Sequence, residues 1–341
     1  MKGIYLAISM TSSCNLKCFY CKPTGESISQ ETGTIPVEDF KRITAAAYWA
    51  GIRKFRLTGG ECTLVSYFGE AIEHLMQLGP DSTINICSNG YRLGEYVDLI
   101  AKYKDRIHVR ISVDSLSEHL NGYHFPKHLS QQTRELTRRL VENGIETRYN
   151  IVVTSYNVQE VPAMIEESLK LGVNLKLLDL YIQDIYLGGS GTSENFWSVT
   201  YQSLTQFRPL LDRLCDTYKA EYWDDSAYGI PMGAYFYGKQ SIILKDSSRG
   251  AHFSRVCMEQ CPLYKQCQEG IYVPFLSVGD VLHINGCHNK QLRWYLKDMD
   301  DSQLDGAFAE LLDLFKGLTV RQDSSDKFRG HTSYRGASNE T

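Results

Sequence analysis

The amino-acid sequence predicts an α/β protein whose first half repeats βα units around a parallel sheet. Two observations carry this. β-rich apolar runs alternate with amphipathic stretches from residue 1 to about 181. Glycines punctuate the ends of the amphipathic stretches, where helix C-termini favour them. Strands alternating with helices at this spacing imply right-handed βαβ crossovers and therefore a parallel sheet.

In order, the strand-like runs are Gly3–Met10, Lys54–Gly59, Ser82–Asn89, Arg106–Val113, Glu146–Thr154 and Asn174–Tyr181. Helical periodicity fills the gaps over Val37–Ala50, Tyr67–Leu78, Glu95–Tyr103, Gln132–Asn143 and Val158–Leu171. Pro36 and Pro162 fall near helix starts, where a missing N–H costs least. Gly51, Gly79, Gly144 and Gly172 follow four of these helices. Six such units can form an open barrel or a doubly wound sheet, and periodicity does not choose between them. After Tyr181 the repeat ends. Gly188–Ser193 reads as a loop, Phe196–Tyr218 as one long helix, Tyr228–Leu244 as β, Cys257–Cys287 as a cysteine-rich segment and Leu304–Leu318 as a last helix. The domains expected are 1–187, 188–321 and a polar, flexible tail at 322–341.

Bulk properties exclude some functions. A net charge of −4 across 341 residues lacks the basic excess of a general nucleic-acid binder. No apolar run approaches the roughly 18 residues needed to span a membrane. The apolar run at Met1–Met10 is too short for a signal peptide. A cytoplasmic protein with no nucleic-acid or membrane partner is the expectation.

Ten cysteines in such a chain are unusual, and they are unevenly spaced. Cys14, Cys18 and Cys21 lie in the loop after the first strand. Three neighbouring thiolates can wrap an iron–sulfur cube and leave one iron open, whereas structural zinc wants four ligands, usually as two pairs. Cys257, Cys261 and Cys267, with Cys287 nineteen residues on, supply four more thiolates, enough for a second cube or for zinc. Tyr272–Leu276 and Val281–Ile284 read as a hairpin carrying Cys287 back towards the others. Cys62, Cys87 and Cys215 stand alone.

The motif Cys14-Asn15-Leu16-Lys17-Cys18-Phe19-Tyr20-Cys21, a Cys-x-x-x-Cys-x-aromatic-Cys after strand one, resembles the signature of the radical S-adenosylmethionine (SAM) superfamily. It is most similar to the branch that holds the molybdenum-cofactor GTP cyclase and peptide-modifying maturases. The resemblance implies a partial (β/α)6 barrel with a C-terminal cysteine-rich extension carrying an auxiliary cluster. It implies a [4Fe–4S] cluster on the three cysteines, with SAM chelating the open iron and Tyr20 beside it. One-electron reduction, from a donor such as flavodoxin or ferredoxin, would cleave SAM to a 5′-deoxyadenosyl radical that abstracts a substrate hydrogen.

Leu57-Thr58-Gly59-Gly60-Glu61 then matches the family's Gly-Gly-Glu. Two glycines permit close backbone approach, and the Glu61 carboxylate suits the SAM ammonium. The family usually has proline next. Cys62 stands there instead, and a buried inert thiol is expected. Ser88 and Asn89 end the third strand, Ser112 and Asp114 the fourth, and Arg148 and Asn150 lie in the fifth. By resemblance these polar residues, at the carboxyl edge of the strands, line the SAM ribose and methionine pocket. Asn89 and Asp114 read equally as turn or capping residues.

The four cysteines of the extension resemble the twitch and SPASM modules of radical SAM maturases, which implies an auxiliary [4Fe–4S] cluster. The GTP cyclase carries an Arg-x-Arg-type segment after its C-terminal cysteines. Here Ile271–Leu276 contains no arginine, although Arg321, Arg329 and Arg335 remain near or in the tail. The expected substrate is therefore a ribosomally made peptide, helped by the aromatics Tyr218, Tyr222, Trp223, Tyr228, Tyr235, Phe236 and Tyr237, which read equally as core. Precursor recognition is expected from a separate protein, because the chain opens on its first strand. A nucleotide or sugar is the alternative substrate, and a non-catalytic iron–sulfur scaffold is disfavoured by the Gly-Gly-Glu segment.

Overall fold

A computed structural model describes residues 4–21, 33–180, 194–219, 232–262, 264–265, 270–271, 275–277, 282–286, 293–296 and 298–321. The first half follows the expected alternation. β1 (Tyr5–Ser9), α1 (Val37–Trp49), β2 (Lys54–Thr58), α2 (Phe68–Gln77), β3 (Thr83–Ser88), α3 (Val97–Ala101) and β4 (Ile107–Ser112) follow one another. A small hairpin, β5 (His119–Leu120) and β6 (Tyr123–His124), precedes α4 (Gln131–Glu142), β7 (Thr147–Val153), α5 (Val161–Lys170) and β8 (Asn174–Asp179). Local chemistry sets the helix limits. The Ser130 hydroxyl caps α4 by accepting from Thr133 N at 3.1 Å, and Pro162 occupies the first turn of α5. Gly144 and Gly172 leave their helices with φ of +72° and +74°, a conformation that disfavours other residues.

The long helix expected over Phe196–Tyr218 is not one helix. It divides into α6 (Glu194–Thr200), a 3-10 turn at Leu204–Phe207, α7 (Arg208–Leu214) and β9 (Thr217–Lys219). Tyr201 bridges to Thr154, which pulls the chain out of helical geometry. Ser203 then caps a fresh start by accepting from Thr205 N, and Pro209 enters at the first turn of α7, where it lacks a donor to the turn before.

The remaining elements are β10 (Met232–Tyr237), β11 (Gln240–Lys245), β12 (Ala251–Phe253), α8 (Arg255–Gln260), β13 (Phe275–Ser277), β14 (His283–Asn285), β15 (Arg293–Tyr295), α9 (Asp301–Asp313) and β16 (Thr319–Arg321). Asp300 and Gln303 close a reciprocal capping box at the start of α9. Twelve strands form one sheet in the order β15-β14-β13-β1-β2-β3-β4-β7-β8-β11-β10-β9. Eight of them, β13 through β11 in that order, are parallel. Strands from beyond residue 187 thus extend the sheet at both edges.

The two faces of the sheet differ. Phe55, Leu57, Ile84, Ile86, Val109, Ile111, Ile151, Leu175 and Leu177 are buried against Phe40, Ile43, Phe68, Ile72, Leu136, Leu140 and Ile165 of the helices. The alternate positions, Arg56, Asn85, His108, Arg110, Arg148, Asn150 and Lys176, are polar. A parallel sheet covered on both faces would be apolar on both, so this second face is built for something other than packing.

Candidate functional site

The carboxyl ends of the parallel strands gather most of the expected site residues. The loop after β1 carries Cys14 and Cys21 exposed and Cys18 buried. Burial pushes the Cys18 thiol up to about 12, opposed by Lys127 and reinforced by Asp114, Cys21 and Cys14. Among the described residues no three Cys, His, Asp or Glu side chains are gathered at metal-ligating spacing. The loop therefore brings three thiols into mutual electrostatic range without closing them on a point. As a donor set they suit a thiolate-held cluster with one position left open.

The glycine pair has a role that spacing did not reveal. Gly60 N donates to Thr11 O at 2.6 Å and Glu61 N to Ser13 O at 2.8 Å. A Cβ at Gly59, where φ is +145°, would stand 2.4 Å from Thr11 O, and one at Gly60 would stand 2.2 Å from Ser13 O. The close approach these glycines permit is to the backbone of the cysteine loop, which the end of β2 holds like an extra rung.

Glu61 is 2% exposed and wholly enclosed by donors. One carboxylate oxygen accepts from Thr63 N (3.2 Å), Thr63 Oγ1 (2.6 Å) and Ser88 Oγ (2.7 Å), and the other from Asn89 N (2.7 Å). Asn89 Nδ2 in turn donates to Asn15 Oδ1 at 2.7 Å. Glu61, Ser88 and Asn89 thus join β2, β3 and the cysteine loop into one network. Cys62 is buried as expected, and its thiol donates to Cys87 O at 3.4 Å.

A second network lies beneath Tyr20. Its hydroxyl donates to Asp114 Oδ2, while Asp114 Oδ1 accepts from Val152 N at 3.0 Å. Lys127, from the loop after β6, donates to the Tyr20 hydroxyl at 3.3 Å. Burial raises the Asp114 carboxyl, and Lys127 and Tyr20 pull it back. Burial opposes the Lys127 charge, but Tyr20, Cys18, Asp114 and Cys21 together hold the ammonium well above its ordinary value. No sequence signal marked Lys127, since a lysine beside a short hairpin reads as solvated surface. Phe19 adds an aromatic surround, with ring centroids of Tyr20, Phe125 and Tyr156 within 5.3–5.4 Å.

Two expected SAM contacts sit differently. Arg148 is the second residue of β7 and does not lie at a carboxyl edge. It pairs across the sheet with Arg110 and Asn174, and its guanidinium stands 3.6 Å from Glu146. Asn150 is likewise mid-strand, opposite Ser112 and Lys176. The register that aligns β7 with β4 sets both below the rim, and strand counting alone does not supply that stagger.

In the extension, Cys257 is buried at the start of α8, where its thiol accepts from Ser254 Oγ at 3.4 Å, and Cys261 follows half-buried. Cys267 and Cys287 lie outside the described residues, as do Tyr222, Trp223, Tyr228, Arg329 and Arg335. The expected hairpin forms as β13 and β14. Because β13 runs parallel to β1, the chain enters it at the end of the sheet away from the Cys14 loop. Just before, Ile271 N donates to His252 O at 2.7 Å.

Residues 8–167 match the family model of the radical SAM superfamily. This part of the chain resembles a radical SAM domain. The cysteine loop, the Gly-Gly-Glu turn and the polar strand ends all fall inside it, and the superfamily implies a [4Fe–4S] cluster and SAM. The GTP 3′,8-cyclase of Vibrio cholerae is 29% identical over 185 residues, covering 52% of this chain and 54% of that protein. The GTP 3′,8-cyclase of Klebsiella pneumoniae is 35% identical over 119 residues, 34% and 35% of the two chains. This chain spans about half the length of the curated relatives it matches. Streptococcus suis SuiB bound to S-adenosylmethionine is similar over 52% of this chain and 41% of its own, at 20% identity and a TM-score of 0.46. No helix among the described residues is long and apolar enough to cross a membrane.

Proposed function

We propose that this protein is a radical SAM enzyme that abstracts a hydrogen atom from an organic substrate seated on the polar face of its parallel sheet. One observation carries the reading. The Gly59–Gly60–Glu61 turn is bonded backbone to backbone onto the start of the loop of Cys14, Cys18 and Cys21, an arrangement that would hold cluster ligands and SAM-binding groups together. Cys14, Cys18 and Cys21 would hold the cluster. Gly59, Gly60 and Glu61 would meet the SAM amino group, with Ser88, Asn89, Ser112 and Asp114 beside its ribose and methionine and Tyr20 fixed by Asp114. When bound, cluster and SAM supply a 5′-deoxyadenosyl radical on one-electron reduction. The chain's own residues would position SAM, and Phe19 packs the cysteine loop against Phe125 and Tyr156. Cys257, Cys261, Cys267 and Cys287 would hold an auxiliary [4Fe–4S] cluster.

For the substrate there are two readings. A ribosomally made peptide, presented by a separate recognition protein, rests on the cysteine-rich extension and on the absence of arginine from 271–276. A small molecule is favoured by the cationic sheet face and by likeness to proteins named GTP 3′,8-cyclase, and it accords better with the geometry. Anaerobic reconstitution followed by dithionite and SAM tests the reading. 5′-Deoxyadenosine should form, and its absence from protein with a full iron complement would reject the assignment.

A further inference from the structure

Between β4 and α4 the chain makes an excursion, residues 114–129, that closes on itself and packs against the cysteine loop. Asp114 N donates to Lys127 O at 2.6 Å and Leu129 N to Ser115 O at 2.9 Å, so its two ends are zipped together. The base is anchored from outside, where Asn157 Nδ2 donates to Asp114 O at 2.6 Å and Ser115 Oγ to Glu160 at 2.6 Å. At the β5–β6 tip, Asn121 Nδ2 donates to Tyr156 O at 2.8 Å, and the Tyr123 ring stacks on Tyr156 at 3.6 Å. Phe19, inside the cysteine motif, packs against Tyr123 and Phe125 with centroids 5.7 and 5.4 Å away. A segment tied at both base and tip brings any charge it carries to the cysteine loop in one place.

The charge it carries there is Lys127. Its ammonium donates to the Tyr20 hydroxyl at 3.3 Å and lies 5.4 Å from the centre of that ring. Tyr20 stands between Cys18 and Cys21, whose turn is closed by Cys21 N donating to Cys18 O at 3.0 Å. The acid of the group is Asp114. Both of its oxygens accept, one from the Tyr20 hydroxyl and one from Val152 N at 3.0 Å, the pattern of an ionised carboxylate. Cation and anion thus meet the same phenol, and among the described residues no ion pair joins them directly. Holding Tyr20 needs no ammonium, because Asp114 already accepts from it, and a charge is costly to bring even half out of water. The ammonium nevertheless keeps its proton: burial opposes the charge, and Tyr20, Cys18, Asp114 and Cys21 outweigh burial.

We propose that Lys127 raises the reduction potential of the cluster held by Cys14, Cys18 and Cys21 by fixing a positive charge beside it. The proposal rests on those three cysteines binding a [4Fe–4S] cluster. Reduction adds one electron from an external one-electron donor, and with it one unit of negative charge; no bond forms or breaks, and Lys127 keeps its proton. A fixed cation favours that more negative state, and nearby charge is one of the levers that set iron–sulfur potentials. At an effective dielectric of about 20, a unit charge within about 12 Å shifts such an equilibrium tenfold or more. Asp114 pulls the other way. Lys127 is a positioning residue in this scheme, acting through the cysteine loop and handling no reacting atom.

Anaerobic potentiometric titration of the reconstituted full chain, followed by electron paramagnetic resonance with and without SAM, tests this. The signal that SAM perturbs reports the N-terminal cluster, and any second signal serves as an internal control. Lys127→Met should lower the midpoint of the SAM-responsive signal by about 59 mV or more, a tenfold change in a one-electron equilibrium. Lys127→Gln carries the same expectation if Lys127→Met loads iron poorly. Lys127→Arg, which keeps the charge, should restore most of the loss. Asp114→Asn should move the midpoint upwards, because it removes the opposing charge. Loosened packing alone would shift Lys127→Met and Asp114→Asn the same way, so opposite shifts at full iron content separate charge from structure. An unmoved midpoint in the neutral Lys127 variants, a fall in Asp114→Asn, or no recovery in Lys127→Arg would overturn the proposal. A natural chain with no SAM-responsive signal would overturn the cluster reading and this inference with it. A SAM-responsive signal that ignores Lys127 would overturn this inference alone.

Discussion

Glu61→Gln probes the joint between the cysteine loop and the ends of β2 and β3. The native carboxylate accepts from two backbone donors, Thr63 N and Asn89 N, and from two hydroxyls, those of Thr63 and Ser88. Glutamine keeps the shape but has one oxygen. If that oxygen faces Thr63 and Ser88, the amide nitrogen confronts Asn89 N–H. If it is flipped, the hydroxyls can rotate to accept, but Thr63 N–H is stranded. Either orientation leaves one backbone N–H unpaired at a residue only 2% exposed. An unsatisfied buried donor costs about 1–3 kcal/mol, and hydrogen bonds to a charged acceptor are worth about 1.5–3 kcal/mol. A loss of about 2 kcal/mol is therefore expected in the metal-free, reduced chain, before any ligand is considered. Equilibrium urea unfolding under argon measures it as a lower midpoint at unchanged slope. SAM affinity should fall as well, because the ends of β2 and β3 shift. A midpoint matching that of the natural chain would show that these hydrogen bonds do not exist as described.

Three further outcomes are expected. Gly60→Ala puts a Cβ 2.2 Å from Ser13 O, a backbone atom that cannot swing aside, so the cysteine loop must lift; iron analysis should find the N-terminal cluster lost from a folded chain, and full iron loading would contradict the contact. Glu146 is held at about 2, first by hydrogen bonding to His108 and then by Arg110 and Arg148. A depressed carboxyl stabilises above its unfolded value, roughly 4.3, and that stability drains away as pH falls towards 2; urea midpoints from about pH 6 to 3 should fall more steeply for the natural chain than for Glu146→Gln, and parallel curves would refute the ion-pair cluster. Replacing Cys14, Cys18 and Cys21 together with alanine should reduce about eight irons per chain to about four. Complete loss, or zinc in place of iron, would end the two-cluster reading.

Most of the fold could be read in the sequence because the βα period is a strong signal. All six strands and the intervening helices lie within a few residues of the apolar runs that announce them. Glu95–Tyr103 shows the limit, since it forms a 3-10 turn at Leu93–Tyr96 and a five-residue helix at Val97–Ala101. Phe196–Tyr218 was harder, because aromatic spacing outweighed Pro209 and the Thr154–Tyr201 bridge that break it. The parallel pairing of β13 with β1 and of β11 with β8 depends on contacts across more than 60 residues. Local pattern holds no record of such contacts.

The candidate site divides along the same line. Cys14, Cys18, Cys21 and Glu61 stand out in the sequence because they fall in short motifs, and three thiols within eight residues suit little besides a metal or a cluster. Lys127 and the cationic face were hidden for the opposite reason. Arg56, Arg110, Arg148, Lys176 and Lys245 stand on five separate strands, and a polar residue alternating with apolar ones is how the solvated side of any half-buried strand looks. Only topology adds them together. The absence of arginine from 271–276 therefore limits the affinity for phosphate only if that segment were its sole source of cations, and the parallel strands carry others in Arg56, Arg110, Arg148, Lys176 and Lys245.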